Sequence, residues 1–241
     1  MDDGTPHAGA ALLERAVCYA LCAVRGVRPW ALGDPTPCAD WDLRALLWHT
    51  ADSLAALYEG IEDGYVALPD EAGPRADEAQ PRPDTRESGP GPESGPGSRG
   101  GGDPAAVFRA RASRLLGVWA AAGGGDGGLV AVGGLPLPAA ALAHAGALEI
   151  AVHGWDIAQA TGLPRPVPAA LATELMRTAR QLVPSPAVRQ PLFGPPLTVP
   201  AEADPSDRLA AFLGRDPYGG RRARRREGGG PDVRGDRAAP A

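Results

Sequence analysis

The stretch that most limits what this chain can become is residues 135–160, LPLPAAALAHAGALEIAVHGWDIAQA. Its only formal charges are Glu149 and Asp156. Burying even a neutral polar group without a partner costs roughly 2–7 kcal/mol, and a lone carboxylate costs more. Something must compensate these acids. At about 100° per residue, Leu142, Ala145, Gly146, Glu149, His153, Asp156 and Ala160 fall on one helical face. Glu149 and His153 are one turn apart on it, a spacing that lets a carboxylate and an imidazole reach a common ion. Small alanine and glycine neighbours leave room for that ion. The stretch reads as a helix that contributes half of a metal site inside a helix bundle.

Other segments supply the rest of such a bundle. Leu13, Ala16, Val17, Ala20, Leu21 and Val24 recur at three- and four-residue spacing, which predicts an amphipathic helix over 11–24. Cys18 and Cys22 lie one turn apart but off its stripe. They read as small packing residues rather than as a metal or redox pair. A second helix starts near Asp42, whose carboxylate is suited to accept from the free N–H groups of a first turn. Leu43, Leu46, Leu47, Thr50, Leu54, Leu57, Tyr58 and Ile61 carry its apolar stripe. His49 lies on the border of that stripe, and periodicity alone leaves it a surface or boundary histidine. Residues 105–122 predict a third helix, with Arg109, Arg111 and Arg114 on polar faces where solvation is the expectation. Residues 129–137 read as a short strand or an extended entry to the organising helix, which Gly162 and Pro164 end. Residues 168–182 and 205–213 are further helices, and 197–199 are extended.

Between the second and third helices the composition changes. Of the 34 residues from Asp70 to Asp103, 14 are Gly or Pro, and three alanines are the only apolar members. Such a segment cannot bury a core and reads as a disordered insertion. Residues 1–10 and the basic run over 218–241 read as disordered tails. The predicted organisation is a bundle over 11–162, interrupted by 70–103, with a C-terminal extension over 163–217 packing on it. A net charge of −5 points to no specific nucleic-acid partner. The N-terminus lacks the order of a signal peptide, and no apolar run reaches the roughly 18 residues of a membrane span. Both point to the cytoplasm. Three cysteines make no disulfide framework.

Two stretches resemble a known family. Thr36-Pro37-Cys38-Ala39-Asp40-Trp41-Asp42-Leu43-Arg44-Ala45-Leu46-Leu47-Trp48-His49 is similar to the opening motif of the mycothiol-dependent maleylpyruvate isomerase family, in its DinB-like metal-binding domain. Glu149-Ile150-Ala151-Val152-His153-Gly154-Trp155-Asp156-Ile157-Ala158-Gln159-Ala160-Thr161-Gly162 is similar to the family's second and more specific signature. The ending Asp207–Pro217 resembles the close of an actinobacterial branch. The resemblance implies a mainly α fold, a DinB-like four-helix bundle with a short C-terminal α(+β) extension. It also implies a divalent metal, usually zinc, held by His49, Glu149 and His153.

Two imidazoles and one carboxylate suit zinc, and three protein ligands leave a fourth position open, as in catalytic rather than structural sites. A thiol entering that position is held as thiolate; the family's thiol is mycothiol. A thiolate so held can add reversibly to an electron-poor double bond, giving isomerisation, or transfer to an electrophile. Asp156, on the same face, has two readings: an acceptor that fixes the tautomer of a ligand histidine, or a helix-interface carboxylate away from the site. Trp48 and Trp155 read as packing residues and His144 as a surface residue. The expected partners are a small-molecule thiol and an electrophilic substrate. A non-catalytic zinc-binding sensor or interaction module, and a bundle whose polar groups pair with one another, are the alternatives.

Overall fold

The computed structural model of the protein describes residues 8–38, 41–67, 102–121, 128–183, 185, 187, 189 and 193–219. Four helices make the bundle: α1 (Ala8–Val24), α2 (Leu43–Glu62), α3 (Pro104–Ala121) and α4 (Ala139–Ala160). They pack in a closed ring, α1 on α4, α4 on α2, α2 on α3 and α3 on α1. Leu12, Leu13, Leu46, Leu47, Leu54, Phe108, Leu115, Ile150 and Ile157 fill its centre, all fully buried. Leu13, Leu46, Leu47 and Leu54 belong to the stripes that helical periodicity lines up on α1 and α2, whereas Ile150 and Ile157 lie off the α4 face that carries Glu149 and His153.

Asp42 caps α2 as its sequence position implies. Its backbone is extended and its Oδ1 accepts from the Ala45 N–H at 2.8 Å. Just upstream, the Leu43 and Arg44 N–H groups donate to Asp34 O and Leu32 O, and Thr36 Oγ1 accepts from the Cys38 N–H. This folds the Thr36-Pro37-Cys38 turn back over the start of α2 and brings Trp41 to the same end of the bundle as His49.

Two glycines set how closely α4 approaches its neighbours. A Cβ on Gly154 would sit 3.0 Å from Ala20 Cβ and 3.1 Å from the Ala20 Cα of α1. One on Gly146 would sit 2.4 Å from a Leu57 methyl of α2. The absence of side chains there lets both helices reach the α4 backbone.

The helix over 135–160 is shorter than its apolar run suggests. Residues 135–138 belong instead to β3 (Leu135–Pro138), which pairs antiparallel with β2 (Leu129–Val132). Gly133 and Gly134 join them at φ of 53° and 75°, the left-handed backbone that a type I′ hairpin turn requires at both central positions. β2 pairs in parallel with the short β1 (Tyr65–Val66) that follows α2. The prolines at 136 and 138 have no N–H to donate, which confines β3 to the edge of the sheet. The sheet therefore joins the helices of the bundle. The extension, among its described residues, holds two helices, α5 (Ala169–Leu182) and α6 (Pro205–Phe212). Residues 197–199 form no strand; Leu197 N–H donates to Ala211 O of α6.

α5 packs on α1 and α4, and α6 on α5. Residues 8–10, assigned to a tail on sequence grounds, are the first turn of α1, with Ala10 buried. The insertion over 70–101, residues 1–7 and the basic run from 220 lie outside the described residues. No helix among those described is long and apolar enough to cross a membrane.

Candidate metal centre

α4 carries Glu149 and His153 on successive turns, and α2 presents His49 to them across the helix pair. His49 Nε2 lies 2.8 Å from Glu149 Oε1, and His153 Nε2 lies 3.2 Å from the same oxygen. One donor atom from each of the three residues falls within 4.8 Å of the others. The two imidazoles meet edge to face, with ring centroids 5.1 Å apart, and the Trp41 ring packs against His49 at 4.3 Å with the planes tilted by 46°. The boundary position that periodicity gives His49 is thus the position from which it faces α4.

His153 is buried, whereas His49 and Glu149 are each about a third exposed on the cavity side. Its Nδ1 lies 3.1 Å from Asp156 Oδ2, so both ring nitrogens face carboxylate oxygens. Burial opposes the charged imidazole, but the hydrogen bonds to Asp156 and Glu149 outweigh it and raise the pKa to about 9. Burial likewise opposes ionised Glu149, and the two histidines overcome it, holding the carboxyl well below its usual range. The cluster is organised around positive charge placed beside Glu149. A proton on His153 supplies it here, and a cation would supply it as well.

Asp156 is fully buried and is not left to His153 alone. Arg215, in the segment after α6, reaches it with Nη2 at 3.0 Å and Nε at 3.3 Å, while its Nη1 donates to Leu213 O. Burial raises the cost of ionising Asp156, and the Arg215 guanidinium and His153 together drive its pKa down. Asp156 bonds the His153 ring, so it does not lie away from the cluster, and it also pins the C-terminal segment to α4. Sequence reasoning passed over Arg215, because 59 residues separate it from Asp156. Ser53 was also missed. It lies one turn beyond His49, with its hydroxyl 3.2 Å from His49 O and 3.3 Å from Glu149 Oε1.

A cavity of about 560 Å³ opens beside the three residues, a size that suits a small organic ligand. α2 and α4 form two of its walls. Leu182, Val183 and Phe193 of the C-terminal extension form another, and Cys38 and Trp41 come from the turn before α2.

The remaining candidates fall elsewhere. Cys18 is exposed and Cys22 half-buried on the outer side of α1, so they do not pack into the core as expected. Arg111 pairs with Asp52 at 2.7 Å, Arg114 stacks on Tyr58, and Arg109 approaches Asp103; none of the three lines the cavity. Trp155 is core, Trp48 is half-buried, and the His144 Nδ1 sits 2.7 Å from Ala140 O on the far side of α4.

Comparison with known proteins agrees with the resemblance drawn from the motifs. A family model described as "Mycothiol maleylpyruvate isomerase N-terminal domain" matches residues 13–158, more than half of the chain. Two uncharacterized proteins from two strains of Mycobacterium tuberculosis, MT0763 and Rv0738, are each 29% identical over 207 residues. Each match covers 84% of this chain and 94% of the relative. No solved structure gives a significant match.

Proposed function

The chain belongs to the mycothiol maleylpyruvate isomerase N-terminal domain family, and on that premise we propose that it is a metal-dependent enzyme that presents mycothiol to an electrophilic substrate. The observation that carries this reading is the convergence of His49, Glu149 and His153 in the wall of a ligand-sized cavity. Donors 2.0–2.1 Å from a tetrahedral zinc ion are roughly 3.3 Å from one another. Separations of 2.8 and 3.2 Å onto Glu149 need only a small opening to meet that spacing. The donor set, two imidazoles and a carboxylate, suits zinc among the divalent ions. Bound there, the ion would supply Lewis acidity that holds an entering thiol as its thiolate.

The chain's own groups have separate tasks. Asp156 accepts a hydrogen bond from His153 Nδ1–H and so leaves Nε2 as the ligating nitrogen. Ser53 supports the Glu149 carboxylate. The apolar walls hold the electrophile and exclude water from the reacting sulfur. Isomerisation and S-transfer both use this arrangement, and the cytoplasm, where such thiols are held reduced, is its setting. A non-catalytic zinc-binding sensor would also use a ligand-sized cavity, so turnover is what separates the two readings.

Metal analysis of the purified protein tests the site: His49→Ala and Glu149→Ala should each lose bound zinc. Unchanged content in both removes the site. With zinc loaded, mycothiol should react with an electrophile faster than it does alone, and an unaltered rate removes the enzyme.

A further inference from the structure

We propose that the substrate taken by the cavity is a neutral, apolar electrophile rather than an anionic one. This rests on the thiol-activating reading above and names the substrate class for that same site. Away from the His–Glu–His cluster and the polar groups of Cys38, Trp41 and Ser53 near it, the walls are mostly apolar, with Leu57, Leu142, Val152, Leu182, Val183 and Phe193 among them. None of these offers a charge or a hydrogen bond. Apart from the histidines of the cluster, the one cation that lines the cavity among the described residues is Arg215. Its charge is already matched by Asp156 at 3.0 Å, and it is only 7% exposed.

Among the described residues, a carboxylate entering this space meets no unmatched positive group outside the metal cluster. It also loses its water to apolar walls, a cost that an uncharged molecule avoids. The chemistry selected is therefore a small aromatic or aliphatic electrophile with an electron-poor carbon and no ionised substituent.

The test uses the full-length zinc-loaded protein with mycothiol and two chloroarenes of matched activation. These are 1-chloro-2,4-dinitrobenzene, which is neutral, and 4-chloro-3,5-dinitrobenzoate, which carries a carboxylate. In each, a carbon–sulfur bond forms as the carbon–chlorine bond breaks. Chloride leaves with the electron pair, and the thiol proton passes to solvent. Relative to the uncatalysed rates, kcat/KM for the neutral arene should exceed that for the anionic one by about tenfold or more.

Leu182→Arg places an unpaired cation at the mouth, at a position 48% exposed in the native protein. It should narrow that ratio severalfold in favour of the anion. Independently of turnover, ligand-detected NMR should show saturation transfer to chlorobenzene and none to 4-chlorobenzoate at equal concentration. An anionic arene processed equally well, or 4-chlorobenzoate bound as well as chlorobenzene, overturns the substrate class and leaves the thiol chemistry standing. If neither arene reacts above background, the thiol-activating reading fails, and the NMR pair alone decides whether the cavity selects neutral ligands.

Discussion

His153 has two ring nitrogens, and each faces an oxygen of a different carboxylate, Glu149 at 3.2 Å and Asp156 at 3.1 Å. Without metal the ring is protonated at neutral pH, with its pKa raised to about 9. Loading zinc at pH 7 must therefore expel that proton. Calorimetric titration of chelator-treated protein in buffers of different ionisation enthalpy should report release of about one proton per zinc. An enthalpy independent of buffer would contradict the arrangement. The second consequence at this scale concerns Arg215. Arg215→Ala leaves Asp156, which has no solvent exposure, facing only the imidazole. Removing one member of a buried pair costs about 3–5 kcal/mol, to be read from urea unfolding. The same variant should bind zinc more weakly, by about 10–100-fold, because the carboxylate that orients His153 is no longer held.

At the scale of elements, α2 depends on a cap and α4 on its lack of side chains. Asp42→Ala removes the acceptor for the Ala45 N–H and should lower stability by about 1 kcal/mol. It should shift the urea midpoint without altering the slope, since the folded surface is unchanged. Gly154→Leu is the harsher change. The space a side chain would enter is filled by Ala20 Cα and Cβ at 3.1 and 3.0 Å, and backbone cannot move aside as a side-chain tip can. Overpacking of this kind costs about 1–3 kcal/mol, more than the roughly 1 kcal/mol that a residue better suited to helices than glycine returns. Stability at or above that of the parent in an unfolding titration would show that α1 and α4 have slack between them. The hairpin before α4 shows the opposite use of glycine, because Gly133 and Gly134 allow β2 to reverse directly into β3.

For the whole molecule, the C-terminal extension and the bundle share one site. Leu182, Val183, Phe193 and Arg215 close a cavity whose reactive end belongs to α2 and α4. Ligation by residues from two helices means that metal binds the folded state far better than the unfolded one. At free zinc of about 100 times Kd the gain is about 2.7 kcal/mol. In a chain of this size that raises Tm by roughly 5–10 °C. Thermal scans with zinc and with chelator should differ by this amount in the native protein and coincide in Glu149→Ala.

The helices, the cap at Asp42 and the pairing of Glu149 with His153 were all legible in the chain itself. Each depends on residues within a few positions of one another, and helical periodicity turns that spacing directly into shared faces. The start of α4 had two readings, a helix from 135 or a strand over 129–137, because LPLP is as apolar as the helix that follows; the turn at Gly133 and Gly134 and the pairing with β2 decide for the strand. His49 needed the family motif, since periodicity placed it on a border without saying which way the border faced. Arg215 and the apolar cavity had no local signal at all. Which charge neutralises a buried Asp156, and which side chains wall a space between bundle and extension, depends on contacts between segments far apart in the chain. Those contacts exist only once the helices have packed.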